Sequence, residues 1–252
     1  MSNDYPPPPP PPPSSPPPYG YGYGYGAPPP RPFSAGDAFG YGWKTFWRHP
    51  GPFILVALLM MVVSAVVNAI GSGLTRGEAS TAGLFNGAAV TGTLSGVSLL
   101  FSFLAAVATV FFNAALVRGA LDAADGRPVT VGSMFERWDK GAVLVAALIV
   151  GALSTIGTIL CILPGIAVTF LAWFTTFFVI DRGAAAWQSV KASFSFTSGH
   201  LGPLLLCALL GVVTLVIGAL LCGVGLLFAV PIVVLAGAYA FRALHGQQVA
   251  AP

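Results

Sequence analysis

Four long stretches of the chain carry no charged residue, and their lengths predict six membrane-spanning helices. The first, 53–70, holds eleven Phe, Ile, Leu and Val residues. At roughly 0.3–0.6 kcal/mol each, these favour the bilayer by roughly 3–7 kcal/mol. Asn68 offsets part of that near one end. The second stretch, 94–117, is closed by Arg118. The third, 142–180, runs for 39 residues without a charge. As a single helix it would be about 58 Å long, nearly twice the roughly 30 Å hydrocarbon core. It must fold back, and Leu163-Pro164-Gly165 supplies a break. The fourth, 201–241, repeats this over 41 residues, with a turn expected at Gly223-Val224-Gly225. The runs are uniformly apolar and far longer than the roughly ten-residue alternating strands of a membrane barrel. The predicted fold class is an all-α polytopic membrane protein. Its spans lie at about 53–70, 94–117, 142–161, 164–180, 203–222 and 225–242, within a membrane domain 34–246 followed by a short C-terminus, 247–252.

A short amphipathic segment precedes each pair of spans. In the first, Phe39, Trp43, Phe46 and Trp47 stand at i, i+4, i+7 and i+8, with Lys44 and Arg48 toward the other side. In the second, Val131, Met134, Phe135 and Trp138 share a face. Trp187, Val190 and Phe194 play that part less cleanly in the third. Aromatic residues opposite basic ones describe helices lying in the headgroup layer. A shift of 61 residues superimposes Gly141, Ala147, Leu148, Ile156, Gly157, Leu160 and Cys161 on Gly202, Ala208, Leu209, Ile217, Gly218, Leu221 and Cys222. His49-Pro-Gly-Pro52 likewise matches His200-Leu-Gly-Pro203. True repetition explains these matches better than the general similarity of Leu/Ala/Gly-rich helices. Three units are expected, each an interfacial helix followed by a transmembrane hairpin.

Residues 1–33 differ in kind. An octaproline run, 6–13, and further proline triplets flank a Tyr-Gly alternation at 19–26. Proline lacks a backbone donor and glycine adds chain entropy, so this tail should be disordered, its proline blocks in polyproline II. No basic n-region or apolar h-region opens the chain, so the first spanning helix is expected to direct insertion.

Composition agrees with the membrane reading. Hydrophobic residues make up 56% and charged residues 8% of the chain, against about 25% charged in an ordinary soluble domain. The net charge of +3 does not imply nucleic acid, because the basic residues are scattered singly. Their distribution instead sets topology. Arg31, Lys44, Arg48, Arg118, Arg127, Arg137, Lys140, Arg182, Lys191 and Arg242 fall on one side of six spans and only Arg76 on the other. By the positive-inside rule both termini are cytosolic, in a bacterial plasma membrane.

No catalytic, cofactor-binding or metal-ligating set emerges, and an enzyme is not expected. The apolar runs 53–70, 94–117, 142–180 and 201–241 contain no Asp, Glu, Lys, Arg or His, so the spans are expected to lack ionisable residues at depth, which counts against proton- or ion-coupled transport. Asn113, the other polar group at depth beside Asn68, is expected to bond a neighbouring helix rather than line a pathway. Cys161 and Cys222 approach the external ends of their hairpins. Whether they pair depends on packing, and small buried hydrophobes are the simpler reading. His49, His200 and His245 read as interfacial anchors, Pro231 as a kink, and Gly71 and Gly73 as helix-contact positions. Asp122, Asp125, Glu136 and Asp139 alternate with basic residues and read as a solvated connector. No phosphate loop or H-E-x-x-H pair is present.

The proline-rich head, the Phe-x5-Phe-Gly-Tyr-Gly-Trp segment ending at Trp43, and the Tyr239-Ala-Phe-Arg242 exit resemble those of actinobacterial proline- and glycine-rich integral membrane proteins of unknown function. The Ile180-Asp181-Arg182 junction, leading into an amphipathic 187–196 helix, is similar to a non-catalytic membrane domain found fused to some bacterial glycerophosphodiesterases. This chain has no soluble phosphodiesterase domain, so the resemblance implies no such activity. The expected function is a membrane scaffold or adaptor, its partners the lipid bilayer and cytosolic proteins recruited through residues 1–33. The alternative is a transporter or lipid-handling protein for uncharged or lipidic substrates.

Overall fold

In lipid a backbone must satisfy its own hydrogen bonds, so each long apolar run becomes a helix. The computed structural model describes residues 33–79, 96–221 and 223–251, with the backbone alone at 72–79, 97 and 98. The tail at 1–32, the first residues of the second predicted span and Cys222 lie outside the described residues, and the side chains of Gly73 and Arg76 are likewise not described. Six helical segments are long and apolar enough to cross a membrane: Pro50–Gly71, Leu99–Ala124, Lys140–Leu160, Ile162–Arg182, Leu201–Leu220 and Leu226–Leu244. The chain is an all-α, multi-pass membrane protein.

The helices form three units in chain order. The short α1 (Ala35–Arg48) leads into the hairpin of α2 (Pro50–Ala79) and α3 (Gly96–Ala124). The five-residue α4 (Val131–Phe135) precedes α5 (Lys140–Leu160), which pairs with a fourth span broken into α6 (Ile162–Leu171) and α7 (Thr175–Arg182). Last, α8 (Ala186–Gly199) precedes α9 (Leu201–Leu220) and α10 (Leu226–Leu244). Four prolines sit where a missing N–H is harmless, Pro50 and Pro52 in the first turn of α2, Pro164 in that of α6 and Pro203 in that of α9, whereas Pro231 lies inside α10.

The centre of the bundle is α10. Some 61% of its apolar window is buried, against 17–39% for the other five spans, and it packs on α1, α2, α3 and α9. The outer faces carry half-exposed or more exposed Leu, Ile, Val and Trp, such as Leu148, Leu205, Val212 and Trp43. That surface suits lipid, not water.

Four expectations change. The first fold-back lies at Cys161, whose extended backbone (φ −172°) separates α5 from α6, three residues before Pro164-Gly165. Proline in a first helical turn does not interrupt a helix, so it could not mark the turn. The fourth span is instead broken at 172–174. There α8 compensates, since the Ser193 hydroxyl donates to the Leu171 carbonyl (2.7 Å) freed by the break.

Helices α1 and α8 also present a different side to the bundle, whereas at α4 the predicted face, Val131, Met134, Phe135 and Trp138, is the one that packs on the core. On α1, Ala38, Tyr41, Gly42, Thr45 and Phe46 are buried, whereas Trp43 and Trp47 are more than half exposed. On α8 the inward stripe is Ala186, Ser189, Val190, Ser193, Phe196 and Thr197, and Phe194 is only half-buried. Small hydroxyl residues let helices approach closely, and they disguise an inward face as a polar one. Asn68 donates to its own helix, at the Ser64 carbonyl (2.7 Å). Asn113 is half-buried on α3. Cys161 is an exposed free thiol, contrary to a small buried hydrophobe.

Glycines set the closest helix approaches. A Cβ on Gly71 would fall 2.8 Å from Phe101, and one on Gly42 would fall 2.7 Å from the Ile232 carbonyl of α10. At the two hairpin tips Gly157 faces Gly165, and Gly218 faces Gly225, where a Cβ would fall 2.6 Å from the Gly218 carbonyl. Gly157 and Gly218 are the pair related by the 61-residue shift. Backbone cannot step aside as a side chain can. Gly225→Val should therefore cost about 1–3 kcal/mol by forced repacking, read as a lowered unfolding midpoint in detergent. Gly151→Ala on α5, with open space around it, should change stability by less than about 0.5 kcal/mol.

Candidate functional site

Charged residues from three of the spanning helices gather at one end of the bundle, and the helix ends explain how. Helix α3 runs seven residues past Val117 to Ala124 and closes with Gly126 in the left-handed region (φ 70°). The Gly126 amide donates to the Ala123 carbonyl (3.1 Å) and the Arg127 amide to the Asp122 carbonyl (2.8 Å). Helix α10 ends the same way. Gly246 (φ 69°) donates to Ala243 and the Gln247 amide to Arg242, both at 3.0 Å. These paired closures satisfy orphan carbonyls and turn each chain sharply back on itself. They fix Asp122 and Arg242 at equivalent places in the last turn, with Arg127 and Gln247 folded back toward them.

Around Arg242, 7% exposed, the contacts use the whole guanidinium. Nη2 reaches Asp181 Oδ1 at 2.6 Å and Asp125 Oδ2 at 3.1 Å, Nε lies 3.1 Å from Asp125 Oδ1, and Nη1 donates to Gln247 Oε1 at 2.8 Å. One side chain thus joins α10, α7 and the α3–α4 connection. Asp122, with no solvent exposure, is the second node. Arg118 Nη2 lies 3.0 Å away on the preceding turn, Arg127 Nη1 at 3.4 Å and Arg137 Nη2 at 3.7 Å. Neither Asp122 oxygen accepts a hydrogen bond of normal geometry, so charge holds it. Arg127 also pairs with Asp125, joining the two nodes. Arg137 takes a left-handed backbone (φ 60°), unusual for a residue with a side chain.

The solvated-connector reading is therefore wrong for Asp122 and Asp125, and so is the absence of ionisable groups from the spans. Arg118, Asp122, Asp181 and Arg242 belong to the spanning helices and are buried or nearly so. They are tolerable there because each charge meets opposite charge at a helix end, away from the apolar middle. A readable signal existed: Arg118 and Asp122 stand at i and i+4, the spacing of an ion pair on one continuing helix.

Beside this network the Phe174, Phe177, Phe178, Phe196 and Phe241 rings pack with centroids 5.1–6.1 Å apart. His200 and His245 close the cluster against Phe196, His245 stacked at 4.6 Å. Each Nδ1 bonds the carbonyl four residues back, Phe196 (3.0 Å) and Phe241 (2.7 Å). A carbonyl only accepts, so Nδ1 carries the proton in both. These two histidines, from opposite ends of the third unit's hairpin, are packing elements that converge on one ring. Among the described residues no three His, Cys, Asp or Glu side chains are placed to hold one metal ion.

The segment 247–251 returns across this end, where the Ala250 amide donates to the Ala124 carbonyl (2.8 Å) and Arg48 Nη1 reaches the Ala251 carbonyl (3.4 Å). Between it, α1 and the α3–α4 connection lies a cavity of about 430 Å³ lined by Arg48, His49, Arg127 and others.

No family model matches the chain, and no solved structure matches it. Related sequences are found in mycobacteria. An uncharacterised protein of Mycobacterium bovis, Mb2590, is 34% identical over 228 residues, covering 86% of this chain and 70% of that protein. The uncharacterised protein Rv2560 of Mycobacterium tuberculosis strain H37Rv is likewise 34% identical over the same coverage. At this identity and coverage the chain belongs to the family that includes these mycobacterial proteins.

Proposed function

We propose that the chain is a non-enzymatic scaffold of the bacterial plasma membrane, a six-helix anchor that displays the Pro/Tyr/Gly segment 1–33 to cytosolic protein partners. The observation that carries this reading is the use of buried charge. Arg242 ties α10 to α7 through Asp181 and to the end of α3 through Asp125, while Arg118 and Asp122 are consumed in pairing with each other along α3. Among the described residues, none of the charged side chains sits in the apolar middle of a span, where a coupled transporter would carry one. A bundle locked in this way suits a fixed platform. Preformed polyproline II loses little entropy on docking, which suits the segment to recruitment. The ten-to-one distribution of Lys and Arg supports a cytosolic position for both termini. The likeness to proline- and glycine-rich integral membrane proteins belongs to the same reading.

The test is in-cell crosslinking and affinity purification of the full chain and of a variant lacking residues 2–33, with partners identified by mass spectrometry. Specific partners are expected to disappear with the segment. An unchanged partner set rejects the scaffold.

A second reading, handling of uncharged or lipidic substrates, draws on the broken fourth span at 172–174 and the buried, unbonded Thr175 hydroxyl beside it. Flux or lipid transfer by proteoliposomes above the rate of empty vesicles would favour it over the scaffold. The empty-vesicle rate would remove it.

A further inference from the structure

We propose that the cavity between α1, the α3–α4 connection and segment 247–251 binds a phosphate-bearing anion, gripped by Arg48 and Arg127 and received by the hydroxyl of Thr45 and the imidazole of His49. The cavity, about 430 Å³, far exceeds the roughly 30 Å³ share of one water. Tyr41, Thr45, Arg48, His49 and Arg127 supply its polar lining. Two guanidiniums, an imidazole and two hydroxyls line it, and no carboxylate does. That donor set fits phosphate, which guanidinium forks grip through two oxygens at once.

The wall is unfinished without a ligand. Thr45 is 3% exposed and its Oγ1 is buried without a hydrogen bond, as is Nδ1 of His49. The Tyr41 phenol is near enough for Thr45 to ease its ionisation, but no bond of normal geometry forms between them. Buried polar atoms in folded proteins are rarely left so. Two of them in the wall of one cavity mark a missing acceptor-bearing group. Burial raises the Tyr41 pKa above the usual phenol range, so its hydroxyl stays a proton donor at neutral pH.

Charge favours the same occupant. Arg127 is held from behind by Asp122 and Asp125 while its side chain remains 46% exposed, so its fork is pre-positioned rather than free. The network as a whole sets four guanidiniums (Arg118, Arg127, Arg137, Arg242) against three carboxylates (Asp122, Asp125, Asp181). Arg48 adds a further positive charge, restrained among the described residues by the long contact to the Ala251 carbonyl (3.4 Å), which a phosphate oxygen can replace. Trp43 and Trp47, exposed on the other side of α1, are residues of the kind that settle at headgroup depth. Phosphate reaching this site can come from a lipid headgroup or from solution.

The experiment uses the full chain in nanodiscs. One arm titrates inorganic phosphate into neutral phosphatidylcholine discs, followed by calorimetry. The other raises the mole fraction of phosphatidic acid, followed by the unfolding midpoint. Arg48→Gln should weaken the saturable response about tenfold, the scale of one charge-assisted bond, and Thr45→Val should weaken it in the same direction. Lys44→Gln, a charge on the same helix outside the cavity, should leave it within about twofold. A phosphate response assigns a soluble ligand, and a response to phosphatidic acid alone assigns a headgroup. Either supports the site. Absence of both responses, or equal losses in Arg48→Gln and Lys44→Gln, overturns it.

Discussion

Arg242→Met should be the most damaging single substitution in the charged end, lowering stability by about 3–5 kcal/mol. Methionine keeps much of the side-chain length, so little apolar packing is lost. What disappears is the guanidinium that faces Asp125 and Asp181 and donates to Gln247. Asp181 has no other ion-pair partner among the described residues, and its side chain is only 17% exposed, so its charge stays nearly desolvated. Asp125 keeps Arg127. The loss should therefore fall mainly on the α7–α10 junction. Reversible unfolding in mixed micelles would measure the total, and hydrogen exchange at 175–182 would locate it. A change below about 1 kcal/mol would mean that Asp181 finds water, and that the pair is a surface contact in effect.

The second large effect should appear in a double-substitution cycle at Arg118 and Asp122. Asp122→Leu strands Arg118, whose side chain is 10% exposed, while Arg127 and Arg137, at 46% and 55%, can turn to water. Arg118→Met strands Asp122 only in part, because those two arginines remain near it. Each single change leaves uncompensated buried charge, and Asp122→Leu should cost more, at about 3–5 kcal/mol. The double variant Arg118→Met/Asp122→Leu should recover most of that loss, since apolar replacements of a whole buried pair are often neutral. Unfolding midpoints of the four proteins measure the coupling. Simple additivity would show that the pair does not act as a unit.

In sequence, arginine at 242 stands at the ordinary edge of an apolar run and aspartate at 122 reads as part of a solvated connector. Burial of a charge cannot be read from its position along the chain. It depends on which other chain segments arrive there, and Asp125 and Arg242 are 117 residues apart. The same limit applied to the cavity. Thr45 and His49 lie on α1, Arg127 follows α3, and Ala250 comes from the far end of the chain. Nothing in their spacing relates them. The inward face of α8 is hidden in a simpler way: Ser189 and Ser193 are fully buried, and their hydroxyls serve carbonyls at Ala184 and Leu171. The polar residue type does not mark an outward position.

The sequence by itself determined the helical class, the number of spans and the order of short helix and hairpin. Each follows from local physics, because a chain in lipid must close its hydrogen bonds within one segment and a run's length against the bilayer fixes how often it crosses. Only the tertiary structure decided which helix stands at the centre, which face of each short helix turns inward and which charges leave water. Those outcomes depend on contacts between segments far apart in sequence. There a glycine that admits a neighbour's backbone, or an arginine that meets a distant carboxylate, takes its meaning from the partner.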